Sequence, residues 1–214
     1  GAAIVSNGGS FISMSDEAFE SGNWDKNSFA MLDIIFGEEK TTRRLYGNNT
    51  PAFTLFTPAM RSAIEKYAAA ENAKILITGA YVGTDLELCG DTLAAKFAAS
   101  VLHYRHMTNH ASKSGEIFPV NSMKTDFPSD FSFVQNYNPG IYKVESPDAI
   151  EPADKETSVL FRYQGDQKSA AVIHNGKTKT MVFGFPFETI TTDAERNELM
   201  KQILTYFGIK EKDK

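Results

Sequence analysis

One stretch limits this chain more than any other: Ala73-Lys74-Ile75-Leu76-Ile77-Thr78 runs directly into Gly79-Ala80-Tyr81-Val82-Gly83. Three large aliphatic residues in unbroken succession suit a strand covered on both faces, because a strand with one wet face would alternate. The two glycines that follow mark a tight turn at its carboxyl end, and a polar loop comes after it. A buried strand that ends in a turn is the building unit of an α/β sheet.

Neighbouring segments repeat the theme. Ser10-Phe11-Ile12-Ser13-Met14 alternates as a strand does, and Ser15 stands where a helix cap would, before Asp16-Glu17-Ala18. The apolar run from Ala30 to Gly37 reads as a second strand buried on both faces. Thr57-Pro58 opens a helix whose residues Met60, Ile64 and Tyr67 share one face. Asp91 caps another, with an expected stripe of Leu93, Phe97, Val101 and Tyr104. Strand and helix in alternation predict a sheet with helices on its faces.

From Phe118 to about Glu156 the texture changes to Pro, Asn, Ser and Asp. Three β-like segments follow, at 158–163, 170–174 and 180–184, with Asn175-Gly176 as a hairpin signal that Lys177 and Thr178 could lengthen. A last helix begins near Asp193, turns Leu199, Met200, Ile203, Leu204 and Phe207 to the core, and ends at Gly208. Residues 210–214 read as a solvated tail.

Composition narrows the function classes. The 214 residues suit a single domain spanning 1–214, and the opening at Gly1, as if mid-domain, reads as a fragment of a longer multidomain protein. Lys plus Arg number 22 against 27 Asp plus Glu, a net charge of −5 with no basic block, so no nucleic-acid partner is expected. No apolar run approaches the roughly 20 residues of a membrane-spanning helix. The lone Cys89 rules out an intrachain disulfide and any cysteine-cluster metal site.

Five constellations could carry chemistry. Gly79-Ala80-Tyr81-Val82-Gly83 has the G-x-nucleophile-x-G layout of a strained elbow, with a phenol at the centre. A phenol titrating near about 10 is only about one part in a thousand ionised at neutral pH, so a structural or binding turn competes with any catalytic role. Cys89 could have its thiol activated by a helix starting at Asp91, or be a half-buried loop residue. His103, His106 and His110 would share one face if the helix continued, a possible metal set, against a plain helix terminus. Glu145, Asp148, Glu151 and Asp154 form an acidic loop that reads as a solvated turn without calcium-loop spacing. Glu188, in Gly184-Phe185-Pro186-Phe187-Glu188-Thr189, falls near the carboxyl edge of a sheet, where ligands bind. No phosphate loop, dinucleotide fingerprint or G-x-S-x-G is present, and no cofactor is expected.

Taken together, the segments 9–13, 32–37, 77–85, 144–150 and 184–190 resemble a domain of large secreted bacterial proteins, the xanthan lyase-like or golvesin-domain proteins. The resemblance covers nearly the whole chain. It implies an α/β, three-layer, mostly parallel sheet flanked by helices, as in class I glutamine amidotransferases and flavodoxin-like domains, with an antiparallel β extension in the C-terminal half. It places Tyr81 where those enzymes carry a nucleophilic cysteine. The implied function is a non-catalytic module of a secreted or cell-envelope protein, binding a glycan or a neighbouring domain through Gly79, Tyr81, Gly83, Asp85 and Glu188. The alternative is a polysaccharide lyase or cell-wall hydrolase using Tyr81, Asp85 and Glu188.

Overall fold

The computed structural model describes residues 1–46, 51–120, 127 and 130–209. In chain order the elements are α1 (Ala2–Ser6), α2 (Asp16–Glu20), β1 (Leu32–Gly37), β2 (Thr42–Arg43), β3 (Pro51–Phe53) and α3 (Pro58–Ala68). Next come β4 (Lys74–Gly79), α4 (Thr84–Leu88), α5 (Thr92–Val101), β5 (Tyr104–Thr108), β6 (Glu116–Pro119) and β7 (Phe131–Ser132). The chain closes with β8 (Ala149–Pro152), β9 (Thr157–Tyr163), β10 (Ser169–Asn175), β11 (Lys179–Phe183) and α6 (Asp193–Tyr206). The expected tail at 210–214 lies outside the described residues.

Seven strands share one sheet in the order β1-β4-β11-β10-β9-β6-β7. Only β1–β4 and β4–β11 run parallel; the other four pairs are antiparallel. The three-layer, mostly parallel sheet flanked by helices is therefore corrected: this is a mixed α/β protein whose mostly antiparallel sheet curls into a half-barrel. The reason is connection length. A parallel neighbour needs a crossover of about a dozen residues or more, usually a helix. Between β1 and β4 the chain supplies one, through α3. Residues 164–168 and 176–178 are too few to cross over, so β9, β10 and β11 must fold back on one another.

The central strand behaves as its composition demands. Ile75 and Ile77 point into a core shared with α3 and α5, while Leu76 points into the opposite core with α6, and all three are fully buried. Each such side chain contributes about 1.5–3 kcal/mol on burial. The run before Gly37 does not match its reading. β1 is the edge strand, paired only with β4, and Ile35 is half exposed. Residues 10–14 form no strand, and Ile12 is largely exposed.

Helix ends follow local chemistry closely. Ser15 and Thr57 accept hydrogen bonds from the backbone N–H groups of Ala18 and Met60. Thr192 and Glu195 form a reciprocal capping box at the start of α6. At its end the Ile209 N–H bonds the Leu204 carbonyl and the Gly208 N–H bonds that of Thr205, with Gly208 at φ +66°. α5 begins as expected, with Asp91 accepting from Leu93 N, but its inward face is Ala94, Phe97 and Ala98. Leu93 faces solvent and Tyr104 already belongs to β5, because His103 at φ +64° ends the helical path. The acidic segment also departs from its reading as a solvated turn: Val144, Ser146, Pro147, Asp148, Ala149 and Ile150 are buried, and β8 pairs with β5.

Candidate functional site

β4 and the turn at 80–83 follow the reading from the glycines, but the polar loop expected after them is the short helix α4. Packing explains both glycines. A Cβ at Gly79 would lie 2.9 Å from Phe36 Cβ, and one at Gly83 would lie 2.6 Å from His106 Cδ2. The Ala80 N–H bonds the Gly37 carbonyl at 2.8 Å, and the Tyr104 hydroxyl donates to the Val82 carbonyl at 2.6 Å. The turn is nevertheless unstrained. Among the described non-glycine residues only Asn72, His103, His110 and Gln167 have positive φ, and Tyr81 is not one of them. A nucleophile elbow depends on that strain to present its attacking atom.

The Tyr81 ring is buried beneath Lys40, whose Nζ lies 4.6 Å from the ring centre and donates to the hydroxyl at 3.4 Å. Burial pushes the phenol upward, with Lys40 opposing, so the hydroxyl keeps its proton at neutral pH.

The donors that an elbow would offer to an oxyanion are already taken. Asp148 Oδ2 accepts from Gly83 N at 2.7 Å and from Thr84 N at 2.6 Å, and Oδ1 accepts from Thr84 Oγ1 at 2.6 Å. Asp148 is completely buried, and desolvation pushes it up to about 6 against the pull of these hydrogen bonds and of His106. His106 stands beside them, with Nδ1 2.8 Å from Glu87 Oε1 and Nε2 3.9 Å from Asp148 Oδ1.

Asp85 is a structural brace. It is fully buried, accepting from Thr41 Oγ1 at 2.6 Å and from Leu55 N at 3.1 Å, and burial raises its pKa. Cys89 is buried too, and burial pushes its thiol up, the reverse of helix-terminal activation.

Glu188 does lie at the carboxyl edge, in a short 3-10 turn (Phe187–Thr189) after β11. Its Oε1 accepts from the Tyr142 hydroxyl at 2.5 Å, while Oε2 is out of solvent with no hydrogen-bond partner among the described residues. Leaving a buried acceptor unpaired costs about 1–3 kcal/mol. Desolvation pushes Asp33 up to about 6, with help from the Glu188 charge. Next to this pair Glu38 Oε1 accepts from Glu145 N at 2.5 Å. Tyr81 and Glu188 thus both touch the segment 37–40, Tyr81 through Lys40 and Glu188 through Gly37, whose added Cβ would lie 3.4 Å from Oε1. Tyr142, Lys40 and Glu38 complete this rim and were not legible in the sequence, since no local pattern marks them. Asp148 was visible as an acidic residue, but nothing local signalled its burial.

The three histidines do not share a helix face. His103 follows α5, His106 sits in β5 and His110 is exposed beyond it. His103 instead stacks on His174 beside Asp154, a grouping invisible at sequence level because 51 residues separate His103 from its carboxylate.

Comparison with protein-family models and with curated proteins finds no match. Among the described residues no helix is long and apolar enough to cross a membrane.

Proposed function

We propose that this protein is a non-catalytic binding module of an exported or cell-envelope protein, related to the xanthan lyase-like domains it resembles, and that it takes a polyhydroxylated glycan at the carboxyl edge of β1, β4 and β11. The observation that carries this reading is the Tyr142–Glu188 pair: Glu188 Oε1 accepts from the Tyr142 hydroxyl at 2.5 Å and fixes a tyrosine ring that is 41% exposed, an apolar face on which a sugar ring can stack beside a carboxylate. The unstrained turn, the protonated Tyr81 phenol and the occupation of the Gly83 and Thr84 N–H groups by Asp148 argue against acyl transfer there.

Calorimetric titration against a panel of cell-wall and plant-type polysaccharides tests the proposal. Saturable binding that Glu188→Gln and Tyr142→Ala weaken about tenfold or more, with no change in glycan length, supports it. Absence of binding to every polymer overturns it, and chain shortening or new unsaturated ends would establish the hydrolase or lyase reading instead.

A further inference from the structure

At the opposite end of the sheet, three donor side chains converge from separate parts of the chain. His103 follows α5, Asp154 follows β8 and His174 lies near the end of β10. Their ligating atoms all fall within 4.8 Å of one another. His103 Nδ1 is 2.6 Å from Asp154 Oδ2, and His174 Nδ1 is 3.6 Å from Asp154 Oδ1. Both histidines turn Nδ1 toward the carboxylate. Their rings lie face to face, 3.4 Å between centres and 3° from parallel, so their in-plane lone pairs do not meet at one point as they stand, and binding an ion turns at least one ring about its Cβ–Cγ bond.

We infer that His103, Asp154 and His174 form a site for a divalent transition-metal ion, with zinc the best fit. Two imidazoles and a carboxylate are a borderline N2O donor set, and three protein ligands leave the fourth tetrahedral position to water. Ligand atoms around zinc stand about 3.4 Å apart, close to the His174–Asp154 spacing, and the shorter His103–Asp154 contact is a hydrogen bond that the ion replaces. On binding, the Nδ1 lone pair of the neutral His103 imidazole goes to the metal and the ring proton sits on Nε2.

The surroundings favour ligation. Thr157 Oγ1 donates to Asp154 Oδ1 at 2.8 Å and orients that carboxylate from the second layer, while it accepts at 2.9 Å from His174 Nδ1, a contact that the ion replaces. The Ala153 N–H bonds the His103 carbonyl at 3.0 Å and holds that residue in its left-handed conformation, which a non-glycine residue adopts only at a cost. The Asp154 side chain is 36% exposed and the His103 side chain 18%, so an ion can enter and retain a water.

The test uses the full chain, stripped with chelator, dialysed and titrated with zinc in a calorimeter and with cobalt(II) in an absorption cell. One ion per chain is expected, with a cobalt spectrum of four-coordinate nitrogen–oxygen type. Asp154→Asn and His103→Ala should each weaken uptake about tenfold or more, while His110→Ala, at an exposed histidine outside the cluster, leaves it unchanged. Asp154→Asn is isosteric and half exposed, and it decides the matter if His103→Ala does not fold. The inference is overturned by no saturable uptake below ~100 µM, by wild-type affinity in Asp154→Asn, or by a thiolate band from Cys89. Glycan binding is measured separately, so failure at either end of the sheet leaves the other result standing.

Discussion

Asp148 grips Thr84 twice, through the backbone N–H at 2.6 Å and through the hydroxyl at 2.6 Å. A residue 64 positions away thereby fills the start of α4 with the protein's own carboxylate. The backbone N–H groups at this turn are therefore occupied by the protein's own carboxylate and are not free to receive an oxyanion.

This carboxylate sets a pH dependence. Its folded-state value of about 6 lies above the ordinary 3.8, because burial disfavours the charge. The folded protein therefore binds that proton more tightly than the unfolded chain. The resulting stabilisation is fully present below pH ~4 and lost as pH rises through about 6. Asp148→Asn lacks the titration. The stability of wild type relative to the variant should fall between pH 4 and 6.5, by up to about 3 kcal/mol. Thermal unfolding of both proteins at constant ionic strength measures it, and a difference independent of pH contradicts the assignment.

Gly184→Ala should be among the most damaging single-methyl additions. The new Cβ would fall 2.0 Å from the Asp148 carbonyl oxygen and 3.3 Å from the Tyr163 hydroxyl. Both neighbours are pinned, since Asp148 N bonds the Gly184 carbonyl at 2.8 Å and the Tyr163 hydroxyl bonds both carbonyls. A loss of about 3 kcal/mol or more is expected in denaturant titration.

Tyr81→Phe should be nearly silent. Its hydroxyl has a 3.4 Å contact from exposed Lys40, a weak interaction in a solvated setting. Stability should stay within about 1 kcal/mol and glycan affinity within about threefold. A large loss of either would mean that the phenol, rather than the ring, matters.

Glu188→Gln should separate binding from folding. The charge it removes helps to hold Asp33 up at about 6, so the Asp33 midpoint should move down in a carboxyl-carbon NMR titration. Global stability should change by no more than about 1 kcal/mol, because one Glu188 oxygen gains nothing from the fold as it stands. An unmoved Asp33 midpoint would show that the two carboxylates do not interact.

Much of the local structure was legible in the residues themselves. Caps at Ser15, Thr57 and Asp91, the stripe of α3, the three C-terminal strands and the Gly208 stop all depend on neighbours within a few positions. The strand and turn around Tyr81 were legible for the same reason, whereas α4 stands where a polar loop was expected. The site was only half visible: Tyr81 and Glu188 stood out, while Lys40, Tyr142 and Asp148 acquire meaning only from what lies opposite them.

Periodicity and capping, being short-range, determined which segments became helix or strand and where most of them end. Strand direction, the edge position of β1, the burial of Asp148 and the meeting of His103 with His174 were decided by tertiary structure alone. Each depends on which distant surfaces come together, and an apolar run looks the same whether its partner strand runs up or down. Nor does a carboxylate's own neighbourhood in the chain tell whether water or two backbone N–H groups will face it.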